Sequence, residues 1–202
     1  MSTYFTGDAW EERGVRDPTD EAPGTLDLVR VFENTLNLEN GPDELDSVSD
    51  AAAWCREHGL PGISNPKELE RLRAFREALR DVLFANNGEG DRRAAWEGLR
   101  PFASSASVGF SIDADCGMEL KPTGLEGDGA IAELLAVVYD ALRGGTWLRL
   151  RACRKGSCRF AYYDHTKNGS RAWCSMATCG NQAKAQRRRQ RERHHQHLSP
   201  RA

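Results

Sequence analysis

Apolar residues recur at intervals of three and four along most of the first 145 residues, which is the pattern of amphipathic helices. Helices are predicted over residues 25–40, 49–54, 65–87, 91–99 and 128–143. The third carries the strongest signals, because Asn65 can cap it, Pro66 suits its first position and the sequence Asn-Asn-Gly at 86–88 ends it.

Several single positions inside this pattern have an expected environment. Leu36 and Leu142 are expected to face the core, and Ser49 is expected to cap the second helix. Cys55 and Cys116 stand apart from the other cysteines and are expected to be buried structural thiols.

Two stretches alternate apolar and polar residues, as half-buried strands do. Residues 106–112 and 118–121 predict a hairpin around the turn 113–115, and residues 147–152 predict a strand that returns through residues 160–163. The predicted fold class is therefore mostly α with α+β character. A helical N-terminal domain with a small β-hairpin is followed by a compact C-terminal module.

Composition divides the chain into four predicted parts. Residues 1–23 are rich in acidic side chains, Gly and Pro and are expected to form a flexible arm. Residues 24–145 form the helical domain, 146–193 a module with a basic helix, and 194–202 a disordered tail. Gly144-Gly145 marks the boundary between the two folded parts, and a separate hydrophobic core is expected on each side of it.

Four cysteines of the C-terminal module have the spacing of a metal site. Cys153 and Cys158 enclose four residues, Cys174 and Cys179 enclose four more, and fifteen residues separate the pairs. Each pair can turn through a tight knuckle and offer two thiolates, so that together they complete a tetrahedral shell for one structural Zn²⁺. Two disulfides, or four unrelated buried thiols, are the alternatives.

The surroundings of these cysteines favour a metal site over disulfides or unrelated thiols. The predicted hairpin carries the first pair in its turn, and Ser175 is expected to cap a following helix that has Cys179 in its first turns. Hairpin, knuckles and helix together predict a treble-clef-like zinc finger with four cysteine ligands. Four thiolates complete the shell and leave no open position for water, so the site is expected to be structural.

Charge separates the two folded parts. Residues 1–145 contain 14 basic and 28 acidic side chains, a balance of −14. Residues 146–202 contain 14 basic and 2 acidic side chains, a balance of +12, although the whole chain carries only −2. A split of this size predicts that the two parts meet different partners, with a merely solvated asymmetry as the alternative.

A specific motif surrounds the second cysteine pair. Residues 173–181 read WCSMATCGN, and Asp164 and the sequence NGSR at 168–171 precede them. This run resembles the CGNR zinc-finger family of bacterial proteins, except that Gln182 stands where the name-giving arginine is expected. The resemblance implies a zinc-binding C-terminal domain that contacts DNA in transcription regulators.

A second motif lies in the first predicted helix. Residues 32–35 read FENT. This segment resembles the F-x-N-T segment of the ABATE domain, which commonly precedes CGNR fingers. Asn34 and Thr35 are expected to make structural hydrogen bonds there.

The sequence offers little support for catalysis or for a membrane. His58 has no Cys, Ser or acidic partner at a recognisable spacing, and no glycine loop of the phosphate-binding kind is present. The chain is therefore expected not to be an enzyme. No signal peptide or apolar span is visible, so it is expected to be cytoplasmic, without a membrane partner.

The last predicted helix is strongly basic, and it has no apolar residue between Ala185 and Leu198. Its arginines repel one another, so a polyanion would stabilise it. We therefore predict a transcription regulator that binds DNA through this helix and its zinc finger. The candidate nucleic-acid contacts are Arg154, Lys155, Arg171, Lys184, Arg187, Arg188 and Arg191.

Two further expectations concern partners. An unknown small-molecule or protein signal is expected to act on the N-terminal domain. The alternative function is a zinc-stabilised adaptor that docks on a protein or an RNA, in which the basic residues serve solubility and assembly.

Overall fold

The computed structural model of the chain describes residues 20–39, 41–112, 114, 116–124 and 126–198. Residues 1–19 of the predicted arm, 113 and 115 of the predicted turn and 199–202 of the predicted tail lie outside the described residues. The elements are α1 (Leu26–Glu33), α2 (Val48–Glu57), α3 (Pro66–Asn86), α4 (Arg92–Ser105), β1 (Val108–Ile112), β2 (Met118–Pro122), α5 (Glu126–Arg143), β3 (Leu150–Ala152), β4 (Ala161–Tyr163) and α6 (Asn181–Leu198). The predicted fold class, mostly helical with two small hairpins, is confirmed.

Helix α3 is the centre of the fold, and it packs against α1, α4, α5 and β3. Its start is the predicted one: the side chain of Asn65 accepts a hydrogen bond from the Glu68 N–H at 3.1 Å, and the Glu68 carboxylate accepts one from the Ser64 N–H at 2.8 Å. This reciprocal capping fixes the first turn. The predicted apolar face is fully buried at Leu72, Phe75, Leu79 and Val82.

The first helix is shorter than the sequence predicts. α1 ends at Glu33, and Leu36 forms an isolated antiparallel bridge with Asp43 instead of continuing the helix to residue 40. Arg76 of α3 holds this turn, because its guanidinium donates to Thr35 Oγ1 at 2.8 Å and to the Asp43 carboxylate at 2.6 and 2.7 Å. Tertiary hydrogen bonds thus replace the helical ones that local periodicity favours.

Three other predicted element boundaries were wrong. Ser47, not Ser49, caps α2, and its hydroxyl accepts a hydrogen bond from the Asp50 N–H. Helix α4 continues through Pro101 to Ser105, because Leu99 and Phe102 are both buried. Helix α6 continues to Leu198, five residues beyond the predicted end of the basic module at residue 193.

Two single residues lie in environments other than the predicted ones. Leu142 is 41% exposed on α5 and does not face the core. Cys116 is exposed and has φ +61° in the turn before β2, whereas Cys55 is buried as predicted.

Both predicted hairpins are present as antiparallel pairs. β1 and β2 pair from Val108–Pro122 to Ile112–Met118, and β3 and β4 pair from Leu150–Tyr163 to Ala152–Ala161. The third strand is shorter than predicted, because residues 147–149 form a 3₁₀ turn in which Trp147 is buried.

A continuous hydrophobic core joins the helices to the second hairpin. Leu150, Ala152, Ala161 and Tyr163 belong to the same buried cluster as the apolar faces of α1, α3 and α5. The expectation of separate cores on the two sides of Gly144-Gly145 is therefore wrong. A small second cluster surrounds the four cysteines of the module.

Within the described residues, no helix has both the length and the apolar composition needed to cross a bilayer.

A buried carboxyl group lies at the end of α1. Glu33 is fully buried, and neither of its carboxylate oxygens has a hydrogen-bond partner among the described residues. Burial raises the pKa of Glu33 from 4.5 to about 8, although Arg80, 3.8 Å away, acts in the opposite direction. Glu33 is thus largely protonated at neutral pH.

This residue predicts a specific dependence of stability on pH. Between about pH 4.5 and pH 8 the folded chain holds a proton on Glu33 that the unfolded chain has released. The contribution of Glu33 to the free energy of unfolding therefore falls as the pH rises through this window, by a few kcal/mol at most. Glu33→Gln should flatten that decline. Its stability relative to the wild type should therefore be higher at about pH 9 than at about pH 5.

Urea denaturation of the wild type, of Glu33→Gln and of the exposed control Glu70→Gln would measure the effect. Identical pH profiles for all three proteins would contradict the assignment.

Candidate metal centre

The four cysteine thiols of the C-terminal module converge at one point. The Sγ atoms of Cys153, Cys158, Cys174 and Cys179 all lie within 4.8 Å of one another, and all four residues are buried. The separation is 3.6 Å between the Sγ atoms of Cys158 and Cys174 and 3.7 Å between those of Cys174 and Cys179. A regular tetrahedron with zinc–sulfur bonds of about 2.3 Å has edges of about 3.8 Å. The cluster therefore fits one structural Zn²⁺ with a closed shell of thiolates.

The first cysteine pair is carried by the turn between β3 and β4. The Cys153 N–H donates to the Phe160 carbonyl at 3.0 Å, and the Lys155 carbonyl accepts from the N–H groups of Cys158 and Arg159 at 2.8 and 3.0 Å. Arg159 adopts a left-handed backbone with φ +45°, which closes the turn. Its guanidinium lies over the Phe84 ring and pairs with Asp81, so α3 helps to hold this unusual conformation.

The second pair lies where α6 begins. Ser175 accepts a hydrogen bond from the Thr178 N–H, as predicted for a cap, and residues Met176–Gly180 form one π-helical turn before α6. Cys179 lies in this turn. An added Cβ at Gly180 would come within 2.9 Å of two atoms at the end of the exposed Met176 side chain, which is free to move aside. The direction of α6 is thus fixed by the metal shell.

The cluster needs a cation for all four thiols to ionise. Hydrogen bonds from Cys158 and Cys174 lower the pKa of the Cys153 thiol to about 4. The same contacts, first of all with Cys153, raise the pKa of Cys174, and burial raises the pKa of Cys179. Without a cation, the Cys153 thiolate keeps Cys174 protonated, chiefly because the Cys174 thiol donates a hydrogen bond to it and secondarily because a second thiolate would be repelled. A Zn²⁺ ion supplies the charge that lets the other thiols lose their protons.

Arg171 clamps the second cysteine pair. Its Nε donates to the Trp173 carbonyl at 2.9 Å and its Nη2 donates to the Cys174 carbonyl. The guanidinium lies over the Tyr162 ring with 4.6 Å to the centroid, and the Tyr162 hydroxyl donates to the Arg171 carbonyl at 2.7 Å. Tyr162 and Phe160 are buried beside the cysteines, so they support the zinc knuckles and are not available to stack on bases.

Asp164 organises the loop between the two pairs. Its buried carboxylate accepts hydrogen bonds from the N–H of Thr166, from the N–H of Arg171 and from the Arg151 guanidinium, at 2.9, 2.9 and 3.1 Å. Burial alone would raise the pKa of Asp164, but hydrogen bonds, first of all the one from the Thr166 hydroxyl at 2.6 Å, outweigh it and leave the pKa below its ordinary value. An ionised Asp164 therefore holds the loop that leads to Cys174.

Asparagine side chains attach the finger to the helices. The Asn34 side chain donates to the Ala161 carbonyl at 2.9 Å and accepts from the Ala161 N–H at 2.8 Å. It thus pairs with the β4 backbone in the way that a neighbouring strand would. Asn87, at the end of α3, donates to the carbonyls of Ala152 and Ala172 and to the Tyr162 hydroxyl at 2.8, 3.0 and 3.0 Å. The structural role expected for Asn34 is confirmed. The role of Asn87 was missed, since an asparagine at a helix end is an ordinary stop signal.

We expect Asn87→Ala to destabilise the folded chain by about 2–3 kcal/mol, because two buried acceptors and one part-buried acceptor lose the two N–H donors that they share. The matched control is Asn168→Ala at an exposed position of the finger, for which we expect less than about 0.5 kcal/mol. Urea denaturation with zinc present would measure both variants. Equal losses would show that the Asn87 side chain does not hold the finger in place.

The predicted nucleic-acid contacts fall into two groups. Arg154 donates to the Asn87 carbonyl at 2.7 and 2.9 Å, Lys155 pairs with Glu39, and Arg171 pairs with Asp20 in addition to its carbonyl contacts. These three side chains are thus already engaged with partners in the same chain. Lys184, Arg187, Arg188 and Arg191 lie exposed on α6, beyond the zinc cluster. His165 lies between the two cysteine pairs in sequence, but its ring contacts the Glu21 carbonyl.

Comparison with protein families agrees with this architecture. A family model described as "Putative stress-induced transcription regulator", the ABATE family, matches residues 24–145, about three fifths of the chain. The model of the CGNR zinc finger matches residues 149–192, which contain all four cysteines of the cluster. A search of curated proteins finds no significant match. The chain therefore belongs to the ABATE family and carries a CGNR zinc finger after its ABATE domain.

Proposed function

We propose that this protein is a transcription regulator that binds double-stranded DNA through α6. The observation that carries the proposal is the exposure of the whole basic surface of this helix. The side chains at 184 and from 186 to 193 are all exposed, and five arginines and one lysine are among them. Among the described residues, Arg187, Arg189, Arg191 and Arg193 have no carboxylate partner, and Arg188 pairs only with Glu192 of the same helix.

The zinc site gives this helix its direction. α6 has 18 residues and is therefore about 27 Å long, and its first turn follows directly on the π-helical turn that contains Cys179. It buries little apolar surface, since Ala183 is its only half-buried side chain among residues 181–193. A helix with so little packing and so much positive charge is stabilised by a polyanion that neutralises it.

The charge distribution also supports α6 as the element that meets DNA. The first 145 residues carry a balance of −14, so that part of the chain repels phosphate. The basic residues of the two knuckles are engaged with partners of the same chain, as described above. The proposal therefore rests on α6, and Arg154, Lys155 and Arg171 contribute mainly by holding the finger together.

A salt series tests the proposal. The full-length chain would be titrated with duplex DNA at several salt concentrations, and zinc would be measured on the same sample. About five phosphate contacts predict that the logarithm of the binding constant falls with that of salt with a slope of about −4 to −5. Absence of binding at low salt, or a slope near zero, would reject DNA as the partner and favour the adaptor function.

A further inference from the structure

The hairpin β1–β2 exposes an uncharged apolar face. Phe110 is 77%, Ile112 is 72% and Met118 is 71% exposed, and Val108 is about half exposed. Large apolar side chains this accessible and this close together are unusual on the surface of a monomeric domain. The polarity of the hairpin is inverted, because Gly109 and Ser111, which alternate with them, are half-buried.

The register places all these side chains on one face. Directly opposite residues in an antiparallel pair point to the same side of the sheet. The face therefore consists of three cross-strand pairs, none of which contains a charged residue. The pairs are Val108–Pro122, Phe110–Leu120 and Ile112–Met118.

We infer that this face is the interface between two copies of the chain. In the described part of the chain the sheet has only these two strands. β2 also packs against α5, but a two-stranded hairpin is too small to shield its outward apolar face. A second copy offers a face of the same size and chemistry. Two such faces pack against each other in the isologous manner of a two-fold dimer.

Charge and area both fit a second copy of the chain as the partner of the hairpin face. The helical domain is acidic, so two copies repel each other over most of their surface, but the hairpin face is free of charge and carries no such penalty. Its four most exposed side chains present on the order of 500 Å² of apolar surface. Two copies would therefore bury about 1,000 Å² in total, the lower end of specific interfaces, which predicts a reversible dimer.

Phe110 lies in the middle pair of the face and is its largest side chain, so it is the expected anchor of the contact. The inference does not depend on DNA binding, because it concerns the mass of the free protein. It would, however, give a DNA-binding chain two α6 helices related by a two-fold axis, which suits a symmetric duplex site.

Sedimentation of the full-length, zinc-loaded chain in reducing buffer, over a wide range of concentrations, tests the inference. The wild type should shift with rising concentration from the 22.5 kDa monomer to a species of twice that mass. The double variant Phe110→Thr and Ile112→Thr keeps β-forming residues but removes the apolar anchors, and should raise the dissociation constant by about tenfold or more. The matched control replaces Leu142 and Leu148, which are exposed elsewhere, by Gln and should dimerise like the wild type.

Other outcomes would overturn the inference. A wild type that stays monomeric at every concentration would do so, as would a hairpin variant that dimerises as well as the control. A dimer that the wild type forms only without reductant, and that Cys116→Ser does not form, would be assigned to a disulfide through the exposed Cys116 thiol. Dimerisation seen only after removal of residues 1–19 would show that the chain's own N-terminal segment covers the face.

Discussion

Replacing Cys174 by Ser is expected to lower the stability of the whole chain, not of the finger alone. The zinc shell fixes the turns that carry β3 and β4, and both strands bury residues in the same core as α1, α3 and α5. Structural zinc contributes about 10–16 kcal/mol of binding free energy in small fingers, which is comparable to the entire stability of a typical domain. Loss of one ligand should therefore unfold the finger and expose part of the helical core.

The expected result is one thermal transition, shifted downward by more than about 10 °C, together with loss of zinc. Calorimetry and metal analysis on the same samples would measure both. Cys116→Ser is the control, because Cys116 is an exposed thiol outside the cluster, and it should keep its zinc and its melting temperature. Removal of zinc from the wild type with a chelator should reproduce the effect of Cys174→Ser.

Two separate transitions, with the helical one unchanged, would contradict this expectation. They would show that the contacts of Asn34 and Asn87 with the finger add little to the stability of the helices. Full retention of zinc by Cys174→Ser would show instead that Cys174 is not a required ligand.

The second large effect is expected on α6. With 100° between successive residues, Lys184, Arg187, Arg188 and Arg191 share one face of the helix, whereas Arg189 and Arg193 point away from it. If a rigid α6 lies in a groove of duplex DNA, the first set meets the phosphates. The triple variant Arg187→Ala, Arg188→Ala and Arg191→Ala should then weaken binding and reduce the salt slope by about two to three units, roughly 0.9 for each lost contact.

The double variant Arg189→Ala and Arg193→Ala is the matched control on the opposite side of the helix. All substituted side chains are exposed, so neither set should alter zinc content or melting temperature. Equal losses per arginine in the two sets would show that α6 acts as a diffuse basic segment and not as a helix in a groove. Unchanged binding in both would reject α6 as the DNA-binding element.

Local signals determined much of this protein from sequence alone. The cap at Asn65, the apolar stripe of α3 and the alternation in both hairpins were enough to predict these elements, because each depends on residues only a few positions apart. The spacing of Cys153, Cys158, Cys174 and Cys179 predicted the cluster for a similar reason, since short knuckles determine where each pair of thiols can meet. The family resemblance came from the same compact stretch.

What the sequence could not determine were contacts between distant segments. The hydrogen bonds of Asn34 with Ala161 join residues 127 positions apart, and those of Asn87 with Ala152 join residues 65 apart. The F-x-N-T motif predicted structural hydrogen bonds for Asn34 but not their partner, and no local pattern distinguished Asn87 from an ordinary helix stop. These asparagines and the shared core make the finger and the helices one folded body, which the sequence had divided at Gly144-Gly145.

The early end of α1 and the exposed face of the β1–β2 hairpin have the same origin. Periodicity predicts which face of a helix or strand is apolar, but only packing decides what lies against that face. Arg76 holds the residues after α1 in a turn by its hydrogen bonds, so the helix ends early. In the described part of the chain, no element covers Phe110 and Ile112. The sequence alone thus determined the elements and the metal ligands, whereas the tertiary structure decided how they join and which surfaces remain for partners, because burial depends on long-range packing.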